Sequence, residues 1–482
     1  MLRHNFLLVT YPAQGHLNPA LQFAKRLIAN GARVTLTITI RMYRRLSDKT
    51  TIPGLSFAPF SDGYDDGFDA LKMGPDDYHH FASSLKRRGS DFVTNLINTK
   101  AREGDPFTCL TYTLIIPWAG EVARGFHLPT ALLWIEPATV FDILYYSFHG
   151  YGDSIMGKSK DPSCSIELPG LPLVLSPRDI PSFLVSRNSV LSFILPSFEE
   201  QFQALDKESE GKTNDPIVVL VNTFEALEPE ALRAVDKFNM IPIGPLIPSA
   251  FLDGKDPNDT SFGGDPFQAS NDYVEWLDSK EKSSVVYVSF GSFMHLPKKQ
   301  MEEIASGLLD CGHPFLWVIR ENPKRGNDDD DEEKEEKLSC LEELEKKGKI
   351  VKWCSQVEVL QHPSLGCFLT HCGWNSTIES LVSGVPLVAF PQWSDQMTNA
   401  KLIEDVWKVG VRVDHEKSEE GIVEGEEIRK CLEVVMGGGE RGDELRRNAR
   451  KWKGLAREAV KEGGPSEKNL RTFLDSIGQH KE

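Results

Sequence analysis

Short apolar runs alternate with amphipathic stretches along nearly the whole chain. Residues 6–10 (FLLVT), 34–39 (VTLTIT), 55–60 (LSFAPF), 109–113 (CLTYT), 130–134 (TALLW) and 217–222 (IVVLVN) are dense in β-branched, aliphatic and aromatic side chains, the pattern of strands buried on both faces. Between several of them apolar positions recur at helical spacing. After the first run, Asn18 is placed to cap a helix, Pro19 to open it and Gly31 to end it. Strand, crossover helix and strand make a right-handed βαβ unit, so the first half predicts a parallel sheet covered by helices.

A second alternation follows. Residues 284–290 (SVVYVSF), 315–320 (FLWVIR), 349–353 (KIVKW), 366–370 (GCFLT), 386–390 (PLVAF) and 409–413 (VGVRV) read as strands, with helices at 298–309, at 357–362, after Asn375 and through Lys401. Residues 241–266, rich in Pro, Gly and Asp, read as the connection between the two alternations. The chain is therefore expected to be α/β, with a doubly wound domain at 1–245, a linker at 246–270, a second doubly wound domain at 271–460 and a C-terminal helix at 461–482. In that helix Leu470, Phe473, Leu474 and Ile477 share one face behind Ser466 as a cap, and the face is expected to pack back on the first domain.

Composition narrows the function. With 482 residues, 40% of them hydrophobic, there is apolar material for two cores. A formal charge of -17 argues against nucleic acid, which selects a basic face. The run DDDDEEKEEK at 328–337 has eight acidic and two basic residues, hence a net -6, and reads as a solvated loop. The eight cysteines include no Cys-x-x-Cys pair, which points to a reduced, intracellular protein. No apolar run approaches the roughly 18 to 20 residues of a bilayer span, and no leader precedes the first strand, so a cytoplasmic address without a membrane span is expected.

Loops after parallel strands are where such sheets bind ligands. Residues 371–376 (HCGWNS) join an apolar run to a helical one, and there Gly373 lets the backbone approach an anion while the amides from Trp374 onward open a helix N-terminus. His371, Asn375 and Ser376 add side-chain donors. Helix capping is the competing explanation, because Ser376 and Glu379 match a capping box. Trp353 is either core or a stacking platform for a base, and Asp395 and Gln396 are either sugar ligands or an ordinary helix start. His16, between the first strand and its helix, is a general-base candidate whose pKa the helix N-terminus should depress; a loop histidine satisfied by backbone is the plain alternative. Gly15, Trp118, Trp134, Phe141 and Tyr145 are candidates to line an apolar pocket, although aromatic residues more often fill cores. Gly437, Gly439 and Gly442 spell G-x-G-x-x-G, but behind a helix rather than a strand, which removes the dinucleotide context. His362 before Pro363 reads as structural. No spacing of metal ligands appears.

Taken together, these features resemble the plant family of UDP-sugar-dependent glycosyltransferases that act on small molecules. The resemblance rests on the whole box 353–396, on YPAQGHLNPALQFAKRL near the start and on VVYVSFGS, and it runs through the full chain. It implies the GT-B arrangement of two facing Rossmann-like domains, with acceptor held by the first and UDP-sugar by the second. By the same resemblance Trp353 stacks on uracil, Gln356 and the backbone at Cys354 contact the nucleotide, and Glu379 holds the ribose. Ser292, His371, Gly373, Asn375, Ser376 and the Trp374 amide hold the diphosphate; Trp374, Asp395 and Gln396 hold the sugar, with Gln396 implying glucose. His16 is the implied base of an inverting transfer that needs no metal and no cofactor beyond UDP-glucose as donor substrate, and the protein is expected to work as a monomer.

One position departs from the family pattern. Many members carry an Asp that orients the catalytic histidine where this chain has Thr113. His16 is then a weaker base, and acceptors already ionised at neutral pH suffer least. The branch that the chain most resembles, crocetin glucosyltransferases and anthocyanin 5-O-glucosyltransferases, shares the Thr and serves both hydroxyl and carboxyl acceptors, so an apolar acceptor of either kind is expected. A nucleotide-sugar sensor without turnover is the alternative that Thr113 supports, and an epimerase on the same fold is a third.

Overall fold

A computed structural model describes residues 4–46, 52–68, 75–159, 161, 163–185, 194–210, 217–260, 262, 272–292, 296–320, 338–414 and 421–479. The chain forms two compact units. One comprises Met1–Pro266, Trp393–Asp395 and Ala456–Glu482, the other Phe267–Gln392 and Gln396–Leu455. The acidic run at 328–337 lies outside the described residues.

The first unit is built on seven parallel strands, β1 (Asn5–Val9), β2 (Arg33–Thr39), β3 (Leu55–Phe60), β4 (Cys109–Thr113), β5 (Thr130–Trp134), β6 (Ile217–Val221) and β7 (Phe238–Pro242), in the order β3-β2-β1-β4-β5-β6-β7. Every residue of β1 and β4 is buried, as expected of central strands covered on both faces. Leu8 pairs with Leu36 on one side and Thr111 on the other. The second unit repeats the pattern with β8 (Val285–Ser289), β9 (Phe315–Val318), β10 (Lys349–Val351), β11 (Leu365–Thr370), β12 (Leu387–Ala389) and β13 (Gly410–Arg412), in the order β10-β9-β8-β11-β12-β13.

Local differences from the sequence expectation have physical causes. The first helix runs Gln14–Ala29 with Ala13 at its N-cap, five residues earlier than the Asn18 and Pro19 signals. Asn18 accepts a hydrogen bond from Gln14 Nε2 at 2.8 Å instead of capping. Pro19 sits inside the helix, past its first turn, where its missing N–H leaves the ladder one bond short. His16 therefore belongs to the first helical turn. The segment expected to be a linker begins with β7, and its described part is strapped to the first unit. Arg26 Nη1 donates to the Ile243 carbonyl at 2.6 Å, Leu246 N–H donates to Asn222 Oδ1 at 2.8 Å, and Lys25 pairs with Asp259 at 2.5 Å. Residues from Pro242 to Pro248 are buried against the first unit, so Pro and Gly there shape a pinned segment.

The helix Pro465–Gln479 buries Leu470, Phe473, Leu474 and Ile477 in the core of the first unit, and Asn469 Nδ2 donates to the Pro242 carbonyl at 2.9 Å. Ser466 is buried with its hydroxyl unpartnered and does not cap. All eight cysteines are free thiols. Among the described residues no helix is long and apolar enough to cross a membrane.

One buried group stands out for its cost. Asp142, in the helix Ala138–Tyr146, is fully buried with neither carboxyl oxygen hydrogen-bonded. Burial, and then the nearby Glu228, raise its pKa well above the usual carboxylate range. The folded state thus holds this proton more tightly than the unfolded chain. Below about pH 4 both states are protonated and Asp142 has no pH effect; as pH rises from there towards the raised folded value, stability is lost. Asp142→Asn should match the wild type near pH 4 and gain on it steadily toward pH 8, by about 1–3 kcal/mol. Urea unfolding at both pH values measures this, and a pH-independent difference would refute it.

Candidate functional site

In the first sheet the winding reverses between β1 and β4, and the carboxyl ends of strands at such a reversal are where α/β sheets bind ligands. His16 follows β1 and Thr113 ends β4, so the topology brings them together from positions far apart in sequence. His16 Nδ1 lies 3.2 Å from Thr113 Oγ1, which also accepts the Tyr11 N–H at 3.0 Å. His16 is half-buried, with exposed Gly15 beside it in the first helical turn. Desolvation, rather than the helix N-terminus, pushes its imidazole down to about 3, so the ring is neutral at physiological pH. Thr113 differs from a carboxylate in one decisive respect. A hydroxyl both donates and accepts, so it neither fixes the Nδ1–H tautomer nor stabilises an imidazolium.

An aromatic wall rises beside His16, and the sequence did not single it out. Tyr11 lies 5.0 Å from the His16 ring, centroid to centroid, and packs edge-on to Phe81 at 6.4 Å. Phe68 stacks on Phe81 at 4.2 Å, and Tyr64 meets both edge-on. Tyr11, Tyr64 and Phe68 remain partly exposed. The Tyr11 phenol is held well above its ordinary value by burial, then by Tyr78 and Asp62, and stays protonated. The early signal was a cluster of aromatics around SDGYDDGF, where Phe57, Phe60, Tyr64 and Phe68 recur at helical intervals although the segment folds as a strand end and a loop.

The aromatics expected to line a pocket are largely core. Trp134 and Phe141 are fully buried and pack edge-on at 5.1 Å, with Trp134 Nε1 donating to the Pro137 carbonyl at 2.9 Å. Trp118 is buried against Gly89, where a Cβ would come within 2.5 Å of the indole. Phe141 and Tyr145 pack on Phe238, at the amino end of β7 and so on the edge of the sheet opposite His16. Apolar character selected them correctly as interior residues and could not distinguish the two edges.

Another group that the sequence did not mark is Glu136, two residues past β5. Its Oε2 is buried without a hydrogen-bond partner, and burial followed by the Asp395 carboxylate raises its pKa well above normal. Asp395 belongs to the short piece Trp393–Asp395 that groups with the first unit. There Ser394 N–H donates to Ser182 Oγ at 2.8 Å and Ser182 N–H to the Ser394 carbonyl at 3.2 Å.

The second sheet reverses its winding between β8 and β11, and the loops after those strands hold Gly291 and His371. The His371 ring is clasped between two glycines. A Cβ on Gly291, at φ +77°, would lie 2.5 Å from Nε2, and one on Gly373 2.6 Å. Burial pushes His371 down to about 4, a hydrogen bond to the Ser289 backbone opposes that shift, and the Arg320 charge adds to it. Arg320, just past β9, also donates to the Ser292 carbonyl at 2.8 Å, and is a cation at the loop that the sequence reading missed.

The helix Trp374–Ser383 starts from Gly373 with no side-chain cap. The capping box does not form, because Ser376 Oγ and Glu379 Oε2 both accept from Gln356 Nε2, at 2.9 and 2.8 Å. Tyr287 Oη donates to Gln356 Oε1 at 3.4 Å and lies 3.4 Å from Cys354 Sγ. The Gln356 side chain thus positions Ser376 and Glu379. Asn399 Nδ2 fastens the loop through the Cys372 carbonyl at 2.8 Å, and Cys372 takes φ +65°. The Trp374 ring is buried 5.9 Å from Trp407, which leaves its amide rather than its indole for an anion. Trp353 and Asn375 are half-buried, Ser292 is exposed, and Gln396 is buried and accepts the Gln392 N–H at 2.9 Å. His362 bonds Ser364 and Asp278 near the amino end of β11, a structural role. Among the described residues no three His, Cys, Asp or Glu side chains converge as metal ligands would.

Residues 263–436 match the family described as "UDP-glucoronosyl and UDP-glucosyl transferase". The phloretin 4'-O-glucosyltransferase of Malus domestica is 60% identical, the match covering 99% of this chain and 98% of the relative. The chain belongs to the plant UDP-glycosyltransferase family. Within it, the chloroplastic crocetin glucosyltransferase of Gardenia jasminoides is 56% identical over 99% of this chain and 98% of that protein. The solved structure of Os79 from O. sativa in complex with UDP matches with a TM-score of 0.82 at 35% identity, covering 98% of this chain and 100% of that one. This UDP-glycosyltransferase accordingly has the two Rossmann-like units of the GT-B class. Gly291→Ala should unseat His371 and weaken UDP binding by about ten-fold or more, since a Cβ at positive φ adds strain to the clash. Calorimetric titration with UDP tests it, and unchanged affinity would refute it.

Proposed function

We propose that the protein is an inverting O-glucosyltransferase that moves glucose from UDP-glucose to a hydroxyl or carboxyl group of a small apolar plant metabolite. The observation that carries this reading is the neutral His16 imidazole held at the reversal of the first sheet, beside an aromatic wall. His16 Nε2 takes the acceptor proton as the acceptor oxygen attacks the anomeric carbon from the face opposite UDP. The carbon–oxygen bond to the acceptor forms, the bond to the diphosphate breaks, and configuration inverts.

In the second unit Trp353 stacks on the uracil, Glu379 takes the ribose hydroxyls, and Gln356 holds Glu379 in place. The backbone at Cys354 faces the nucleotide. Amides after Gly373, with Ser292, His371, Asn375 and Ser376, receive the diphosphate as its charge grows, which is stabilisation by dipoles set in advance. Asp395 and Gln396 hold the hexose, and Gln396 favours glucose. The similarity to phloretin and crocetin glucosyltransferases supports an apolar acceptor. Cytoplasmic location and a monomeric state fit this reading.

With a phenol acceptor, His16→Ala should lose about 10²–10⁴ in kcat; equal activity would remove the general-base role. Thr113→Asp tests the departure from the family pattern. A carboxylate at Nδ1 favours the imidazolium, so the His16 pKa rises from about 3. Because the base works only when neutral, the acid limb of the pH–rate profile should move upward, while phenol turnover above it grows about ten-fold. An unmoved acid limb would show that Thr113 does not govern His16.

A further inference from the structure

We propose that Glu136 sets acceptor specificity in this transferase: its carboxyl group hydrogen-bonds an uncharged, hydroxyl-bearing acceptor and, together with Asp395, turns away acceptors that carry a carboxylate. The inference rests on the glucosyltransferase reading above and narrows its acceptor class to phenols and alcohols.

Position comes first. β5 neighbours β4 in the sheet, and Thr113 pairs in register with Leu133. Glu136 lies three residues beyond Leu133, on the carboxyl edge that also carries Thr113 and His16. The turn that presents it is fixed on both sides. Trp134 Nε1 binds the Pro137 carbonyl at 2.9 Å, and Glu228 accepts the amides of Ala138 and Thr139 at 3.2 and 3.0 Å. A side chain on so anchored a turn is set before any ligand arrives.

Satisfaction comes second. Buried polar atoms in native proteins are almost always hydrogen-bonded, and an orphan calls for an explanation. The buried Oε2 of Glu136 has no partner. At an edge where an acceptor must reach His16, the partner that fits is the acceptor's own hydroxyl.

Charge comes third. Burial and Asp395 are the influences that raise the Glu136 pKa. Burial and the neighbouring carboxylate both favour the protonated form of Glu136, and a hydroxyl can accept from a protonated carboxyl or donate to an ionised one. A carboxylate acceptor would bring a further negative charge beside Asp395, an arrangement that becomes worse as pH rises and Glu136 ionises.

The test compares the full-length wild type with Glu136→Ala and Glu136→Gln on a neutral phenol and its matching benzoate, from pH 6 to pH 9, with kcat and KM for each acceptor and KM for UDP-glucose. For the phenol, E136A should lose about ten-fold in kcat/KM, carried mainly by acceptor KM, while KM for UDP-glucose stays within about two-fold. E136Q, which restores a donor and an acceptor, should recover most of that loss. The benzoate-to-phenol ratio should be low in the wild type and fall with pH, whereas in E136Q it should be at least about five-fold higher at pH 8.5 and flat. An unchanged ratio in E136Q, or a wild type that prefers the benzoate, would overturn the proposal and leave the transferase reading standing. UDP-glucose bound but transferred to neither acceptor would remove both.

Discussion

A parallel sheet that winds both ways has one place where neighbouring strands send their chains to opposite faces. In each unit this reversal lies beside the strand that opens the unit, β1 with β4 and β8 with β11. Strands there are buried on both faces and keep their backbone groups paired, so polar chemistry is confined to the loops at their carboxyl ends. His16 and Thr113 meet because of one reversal, Gly291 and His371 because of the other. The rest of each unit, from the Arg26 strap to the Asn399 hydrogen bond on the Cys372 carbonyl, holds these loops still.

Two histidines at two reversals are both made neutral by burial, yet their surroundings prepare them for different work. His371 is clasped by glycines and backbone, next to Arg320, in a corner rich in donors. That corner suits an anion. His16 faces the Thr113 hydroxyl and the Tyr11 ring, with no carboxylate hydrogen-bonded to its imidazole among the described residues. It can accept a proton from a hydroxyl held against the wall, but the charge it then gains is poorly stabilised, so the acceptor itself must contribute acidity.

Much of the architecture was legible because strand burial writes itself as continuous apolar runs. The strands expected at 55–60, 109–113 and 130–134 form at those bounds. The turn at 371–376 was legible too, since glycine between a strand end and a helix start carries a local meaning. Capping was less so: Asn18, Ser376 and Ser466 all look like caps and none caps, because a partner within the same helix, a tertiary partner and burial respectively claim their side chains. The acceptor side was the least legible. Tyr11 and Phe68 meet on Phe81 through the fold alone, Glu136 sits on the same strand edge as His16 by sheet order, and Trp134 and Phe141 share the apolar character of a pocket wall while filling the core.

The placement of Pro465–Gln479 bears on how the molecule is made. Four of its side chains complete the core of the first unit, yet the helix is synthesised after every strand of the second. On the ribosome, where domains fold in the order they emerge, the first unit waits with an open apolar face while the second is completed. The unit made earlier is thus closed after the unit made later, and that interval is when its apolar face most needs protection from aggregation.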